Sequence, residues 1–194
     1  MSYAEPDQDR REFLIKASTA MAATGAAATA VPFLASWRPT QAARLAGLPM
    51  KIDLTKIEDG EGIKILWRGI PMWIIRRSPA IMQGLEAIRP QLKDPDSLES
   101  EQPTYAKNMH RSRRDDVIVL TAVCTHLSCL PEFKTPGDAL LGADLQGGLY
   151  CACHGSRYDA AGRVLKGSPA PTNLPVPQYY FENTHTLVVG ADSA

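Results

Sequence analysis

Two short boxes of cysteine and histidine constrain this 194-residue chain more than any other feature. The first box reads Cys124-Thr125-His126-Leu127-Ser128-Cys129, and the second reads Cys151-Ala152-Cys153-His154-Gly155-Ser156. Together they contain all four cysteines and two of the four histidines of the chain. A Cys-x-His pair and a Cys-x-x-His pair offer two thiolates and two imidazoles. Such a donor set suits either Zn²⁺ or a [2Fe–2S] cluster with thiolates on one iron and imidazoles on the other.

The two boxes resemble those of the Rieske iron–sulfur proteins, which read C-T-H-L-G-C and C-P-C-H-G-S. This chain agrees at ten of the twelve positions and departs only at Ser128 and Ala152. In the family, glycine and proline at these two positions set the backbone angles of the loops, so we expect the departures to affect loop shape rather than the ligands.

The resemblance implies a role for most polar residues of the two boxes and of the strand that follows. Two cysteines would bind one iron of a single [2Fe–2S] cluster and two histidines the other, namely Cys124 and Cys151, and His126 and His154. A disulfide would join Cys129 to Cys153. Two hydroxyl groups would donate hydrogen bonds to sulfur, from Ser156 to a bridging sulfide and from Tyr158 to the ligand Cys124.

The resemblance also implies a docking surface at the tip of the cluster-binding part. His154 would be the catalytic residue that hydrogen bonds to quinol. Leu127, Pro169 and Pro171 would form the apolar surface around it, the two prolines lying in the loop that covers the cluster in the family.

Composition limits the partners of the chain. Lys plus Arg and Asp plus Glu both total 21, so neither net charge nor a block of like charges favours nucleic acid. With 44% hydrophobic residues, the chain is long enough for one core and a small subdomain. The disulfide that the resemblance implies is typical of an oxidising compartment such as the bacterial periplasm.

The N-terminal sequence predicts export and membrane anchoring. Residues 1–12 are polar and include Arg10-Arg11, which resembles a twin-arginine (Tat) export signal because an apolar run follows. Residues 17–37 carry no charge, and as a helix they would extend about 31 Å, enough to cross the hydrocarbon core of a bilayer.

This apolar segment has two interpretations, retention as an anchor or removal as a signal. Ala28-Thr29-Ala30 offers the small residues that a signal peptidase needs, which favours removal. Rieske subunits of respiratory complexes keep the segment, and we therefore predict a transmembrane anchor over residues 13–37. Positive residues on one side, Arg10, Arg11 and Lys16, place its N-terminus in the cytoplasm.

After the anchor we predict a linker at 38–48 and a head domain at 49–194, of which 116–171 bind the cluster. Alternating and buried apolar runs predict the elements of the head. In order, these are a strand at 51–54, a hairpin at 63–76, a helix from Ser78 that ends at Pro90, strands at 117–123 and 147–150, a strand pair at 157–165 and a hairpin at 178–189. The predicted fold is mainly β, a Rieske-type antiparallel β-sandwich head with a small cluster-binding subdomain, plus one N-terminal transmembrane helix.

The order of signal, anchor, linker, head and boxes resembles the Rieske subunits of bacterial ubiquinol–cytochrome c reductase, the cytochrome bc complex. The resemblance implies an electron-transfer subunit, active within a dimeric complex of the bacterial inner membrane with its head in the periplasm. It would oxidise ubiquinol at the cytochrome b subunit and pass the electron to the cytochrome c subunit, with proton release in the periplasm. The alternatives are the Rieske subunit of another periplasmic enzyme such as arsenite oxidase, and a zinc module without redox activity.

Overall fold

A computed structural model describes residues 7–45 and 47–192 of the chain. Residues 1–6 of the predicted N-terminal segment, residue 46 of the predicted linker and residues 193–194 of the predicted head lie outside the described residues. The chain divides into two units, and the division follows Leu45.

The first unit contains helix α1 (Gln8–Ala35) and the short helix α2 (Gln41–Leu45). Helix α1 has 28 residues, or about 42 Å, and it begins earlier than the predicted anchor. Its start is set by Asp7, whose carboxylate accepts hydrogen bonds from the amides of Asp9 and Arg10. The arginine pair of the export signal therefore lies in the first turns of the helix.

Helix α1 has the composition that a membrane-spanning helix needs. In the described part of the chain it is the one helix long and apolar enough to cross a bilayer, with a mean hydropathy of 1.2 and no residue buried within the protein. Its threonine hydroxyls are satisfied inside the helix, because Thr19, Thr24 and Thr29 each donate to the carbonyl four residues earlier at 2.8–2.9 Å. The predicted transmembrane helix is consistent with these features.

The second unit is built from three antiparallel sheets of three strands each. The first sheet has the order β1-β9-β8, the second β2-β3-β4 and the third β5-β6-β7. The strands are β1 (Met50–Asp53), β2 (Gly62–Trp67), β3 (Ile70–Arg76), β4 (Val117–Thr121), β5 (Glu132–Lys134), β6 (Gly148–Cys151), β7 (Ser156–Asp159), β8 (Tyr179–Phe181) and β9 (Thr186–Val189). The prediction of a mainly β head with antiparallel sheets is confirmed.

One hydrophobic core joins the three sheets. Ile74 of β3, Val119 of β4 and Leu187 of β9 have no exposed surface, and all belong to the same cluster of buried residues. That cluster also includes Leu149 and Tyr158 of the third sheet. Burial of this apolar surface is the main stabilising contribution, and it fixes the strands that carry the two boxes.

Helix α3 (Pro79–Ala87) begins where the sequence predicts and ends slightly earlier. The hydroxyl of Ser78 accepts a hydrogen bond from the amide of Ile81, as expected of a capping serine followed by proline. A short 3₁₀ turn, Arg89–Gln91, follows the helix.

The predicted strand pair at 157–165 forms only in part, because its two segments meet in one antiparallel bridge and the second segment is too short to count as a strand. Strand β7 pairs with β6, while residues 162–165 make only isolated bridges, including one between Tyr158 and Val164. The cause is the buried carboxylate of Asp159, which accepts hydrogen bonds from the amides of Ala161 and Arg163 and from the Arg163 guanidinium. These bonds favour a turn over a continued strand.

Candidate metal centre

The two boxes form loops at the ends of strands. Strand β4 leads into the first box, and the second box is the connection of the β6–β7 hairpin, in which Cys151 pairs with Ser156. Each loop closes by hydrogen bonds of its own. In the first, the amide of Cys124 donates to the carbonyl of Cys129 at 2.7 Å; in the second, the amide of Gly155 donates to the carbonyl of Cys151 at 2.9 Å. The rigid sheets therefore determine where the loops lie.

Ser128 adopts a backbone conformation that favours glycine. Its φ angle is +61°, in the left-handed region that L-residues adopt at a cost. Its amide donates to the carbonyl of Cys124 at 3.0 Å, and this bond holds the turn despite the side chain. The first box therefore accommodates serine at this position.

The free cysteines, Cys124 and Cys151, are buried next to each other. Burial raises the pKa of the Cys124 thiol, but hydrogen bonds outweigh burial and leave this pKa below its ordinary value; they come from Tyr158, the His126 amide, Cys151 and Ser156. Burial, together with the hydrogen bond to Cys124, raises the pKa of Cys151. Of the two thiols, Cys124 therefore loses its proton more readily, and a bound metal would deprotonate both.

The two imidazoles lie at the tips of the loops. The ring centroids of His126 and His154 are 4.7 Å apart, and the rings are nearly perpendicular, at 89°. The Nδ1 atom of His126 is buried and has no hydrogen-bond partner among the described residues. A buried ring nitrogen without a partner is unfavourable unless a metal binds it, so the donor set fits a metal centre with two sulfur and two nitrogen ligands.

A disulfide joins the two loops between Cys129 and Cys153, as the resemblance implies. The sulfur atoms of these two residues and of Cys151 lie within 4.8 Å of one another. This sulfur trio does not form a metal site, because disulfide sulfurs are not thiolates. It does show that the disulfide lies directly beside the cysteine end of the centre.

Both hydroxyl groups that the resemblance implies are fully buried beside the cysteine end. The Tyr158 hydroxyl lies 3.2 Å from the sulfur of Cys124, and burial raises the pKa of this phenol. The hydroxyl of Ser156 accepts a hydrogen bond from the amide of Ala170 at 3.1 Å. Its own proton is therefore directed to another acceptor, and hydrogen bonding by Ser156 helps to lower the pKa of the Cys124 thiol.

Thr125 is part of the site but was missed as a functional residue by sequence reasoning. Its amide donates to the Tyr158 hydroxyl at 3.4 Å, and its own hydroxyl donates to the carbonyl of Thr172 at 2.7 Å. It thereby links the first box to the segment that covers the cysteine end. The sequence feature that could have identified Thr125 is its position between two proposed ligands.

The predicted docking residues are exposed to solvent. Leu127 is 66% exposed, and His154, Pro169 and Pro171 are exposed as well. Leu130, which the sequence analysis did not select, is a further exposed leucine of the same loop region, at 52%. Exposed leucines next to a polar centre indicate a surface for a partner or an apolar ligand.

Two family profiles match the chain. The profile described as "Ubiquitinol-cytochrome C reductase Fe-S subunit TAT signal" matches residues 1–40, and the profile "Rieske [2Fe-2S] domain" matches residues 98–179. The first covers the predicted signal and anchor, and the second covers both boxes.

Relatives match over nearly the whole chain. The ubiquinol–cytochrome c reductase iron–sulfur subunit of Allochromatium vinosum is 42% identical over 99% of this chain and 93% of its own length. The subunit of the same name from Blastochloris viridis is 40% identical over 95% of this chain and 94% of its own. A solved structure of a hyperthermophilic respiratory Complex III shares the fold, with a TM-score of 0.50 and 23% identity over 91% of this chain and 98% of that chain. With both boxes, the disulfide and full-length similarity in agreement, the chain belongs to the family of Rieske iron–sulfur subunits of ubiquinol–cytochrome c reductase.

Proposed function

We propose that this subunit takes one electron from ubiquinol at the cytochrome b subunit and passes it to the cytochrome c subunit. Family membership makes the chain an electron-transfer subunit of a cytochrome bc complex with a [2Fe–2S] cluster. When bound, the cluster supplies reversible one-electron redox chemistry. The observation that carries the finer proposal is the pairing of two buried free thiols with two imidazoles, one of them exposed, at two loops joined by a disulfide.

The burial of the four side chains supports the assignment of ligands. Cys124 and Cys151 are 2% and 1% exposed, so they would bind the inner iron. His126 is half-buried and His154 is exposed, so they would bind the outer iron and place it nearest to a partner. Hydrogen bonds to sulfur from Tyr158 and from the His126 amide favour the thiolate form of Cys124.

His154 is the proposed catalytic residue, because its ring is the more exposed of the two. One of its nitrogens would bind iron, and the other would accept a hydrogen bond, and then a proton, from the quinol hydroxyl. Leu127 and the prolines 169 and 171 would exclude water around that contact. The proton is then released on the side of the membrane where the head lies.

The proposed location is the bacterial inner membrane, with the head in the periplasm. A Tat signal profile and an apolar helix near the N-terminus support a membrane-anchored subunit. We propose residues 1–12 as the cytoplasmic segment, 13–37 as the anchor, 38–48 as the linker, and 49–194 as the head, with 116–171 binding the cluster. Because the chain offers a single redox centre and quinol releases two electrons, activity would require the other subunits of a dimeric complex.

The alternatives have less support. The relatives are subunits of ubiquinol–cytochrome c reductase rather than of an arsenite oxidase, and the family profile is that of a [2Fe–2S] domain rather than of a zinc module.

Electron paramagnetic resonance of the membrane complex after reduction with ascorbate tests the proposal. We expect a Rieske signal that co-purifies with b-type haem and changes shape when an inhibitor occupies the quinol site. A signal that is unaffected by the inhibitor and separates from b-type haem would contradict the proposed place in the complex.

A further inference from the structure

The loop that covers the cysteine end of the centre, residues 167–171, depends on donors from elsewhere in the chain. Pro169 and Pro171 have no amide hydrogen, so the loop makes few backbone hydrogen bonds of its own. Its carbonyl groups at Ser168 and Ala170 both accept hydrogen bonds from the ammonium group of Lys93, at 2.6 and 2.7 Å. Charge-assisted bonds of this length are stronger than those between neutral groups.

Lys93 is itself held in a fixed position. Its amide donates to the carbonyl of Val164 at 3.0 Å, and the preceding residue, Leu92, forms a bridge with Leu165. Leu92 and Leu165 are both buried in a second hydrophobic cluster. The backbone of Lys93 therefore cannot move without disturbing that cluster, although its side chain is partly exposed.

The contact leads to the centre through one peptide group. The Ala170 amide hydrogen belongs to one peptide group of the loop. The two carbonyls that Lys93 binds, those of Ser168 and Ala170, belong to the peptide groups immediately before and after it. That amide donates to the hydroxyl oxygen of Ser156, a buried residue that lies opposite the proposed ligand Cys151 in the β6–β7 hairpin. The direction of the Ser156 hydroxyl thus depends on where the loop holds Ala170.

We propose that Lys93 is a positioning residue for the centre, and that it acts through the loop at 167–171 by orienting the hydroxyl of Ser156. This inference rests on the proposed ligand assignment. A lysine that merely neutralises charge near the centre would act through its charge and not through Ser156. The two cases therefore differ in a measurable way.

The test compares three variants of the complete complex with the unmodified complex. Lys93→Met removes the two hydrogen bonds at nearly constant volume, Lys93→Arg keeps the charge and the donors, and Lys166→Met is the control. Lys166 lies just before the same loop and carries the same charge, but it donates to the carbonyl of Pro90 instead. The reduction potential is measured by protein-film voltammetry, and mobility of the loop by hydrogen exchange of peptides covering 167–172.

We expect Lys93→Met to lower the potential, by less than Ser156→Ala does, and to raise exchange in the loop roughly tenfold. Lys93→Arg should restore most of both properties, and Lys166→Met should change neither. In a Ser156→Ala background, Lys93→Met should cause no further fall in potential, because the group through which it acts is gone.

Two results would overturn the inference. One is an equal shift in Lys93→Met and Lys166→Met, and the other is a full Lys93→Met shift that persists without the Ser156 hydroxyl. If Lys93→Met does not assemble, Lys93→Gln, which is too short to reach both carbonyls, must meet the same criteria. Absence of the Rieske signal from the unmodified complex would instead contradict the proposed function.

Discussion

At the residue scale, the phenolic proton of Tyr158 has two neighbouring acceptors. The hydroxyl oxygen of Thr125 lies 3.3 Å from the Tyr158 hydroxyl, and the sulfur of Cys124 lies 3.2 Å from it. The Thr125 hydroxyl donates its own proton to the carbonyl of Thr172, so this hydroxyl acts only as an acceptor toward Tyr158. Because a metal-bound thiolate carries more negative charge than a hydroxyl oxygen, we expect Tyr158 to donate to Cys124 when the centre is loaded.

Removal of either buried hydroxyl should lower the reduction potential. A hydrogen bond to sulfur strengthens on reduction, and each kcal/mol of that preference corresponds to roughly 43 mV for a one-electron couple. We therefore expect Ser156→Ala and Tyr158→Phe each to retain the cluster, lose tens of millivolts, and slow quinol oxidation. Tyr150→Phe is the control, since Tyr150 lies on the neighbouring strand and packs against the second hydrophobic cluster. Unshifted potentials by protein-film voltammetry in both test variants would show that the hydroxyls are only structural.

Each of the four proposed ligands should be required for the cluster. In Cys124→Ser, His126→Ala, Cys151→Ser and His154→Ala we expect loss of iron and of the Rieske signal, because the other cysteines form the disulfide. His185→Ala is the matched control and should keep full iron content, since His185 lies exposed in the β8–β9 turn. Normal iron content in a Cys124→Ser protein would refute the assignment.

At the scale of elements, the two loops depend on different supports. The second box is held by the pairing of β6 with β7. The first box is followed by a loop that leads into β5, and this loop is held by a hydrogen bond of 2.9 Å from the indole of Trp73 to the carbonyl of Pro131. The disulfide is the covalent link between them, across a sequence separation of 24 residues. The first loop therefore relies more on the disulfide than the second does.

Loss of the disulfide should destabilise the loaded centre without removing a ligand. Closing a segment of this length is worth about 3 kcal/mol by chain-entropy estimates. We expect the double variant Cys129→Ala and Cys153→Ala to lose about that much free energy of unfolding, measured by chemical denaturation, and to release iron faster on warming. Alkylation and mass spectrometry of the unmodified protein supply the control, and free thiols at both positions in active protein would refute the role.

At the scale of the whole molecule, the end of the predicted linker is hydrogen bonded to the head. The indole of Trp67 donates to the carbonyl of Leu48 at 2.9 Å, and the guanidinium of Arg68 donates to the carbonyl of Gly47 at 3.0 Å. Both donors lie at the tip of the β2–β3 hairpin, where Arg68 and Gly69 have φ angles of +52° and +77°. Residues 47 and 48 thus contact the head, although they fall in the predicted linker.

The anchor should remain attached in the mature subunit. The subunit should resist extraction from membranes with alkaline carbonate, because helix α1 is long enough to span the thickness of a bilayer. Its mass should agree with an uncleaved chain of 21.1 kDa rather than with one that begins after Ala30. The control for the Tat route is the double variant Arg10→Lys and Arg11→Lys, which should fail to export the head. A membrane-purified subunit that begins after Ala30 would refute retention.

The sequence by itself determined the proposed ligands, the family and most of the strands. These depend on local spacing, since box residues lie a few positions apart and alternating apolar residues identify strands without knowledge of their partners. The tertiary structure alone decided which distant groups tune and support the centre. Lys93 meets Ala170 across 77 residues. Such contacts follow from how the sheets pack around one core, and no local pattern specifies that packing.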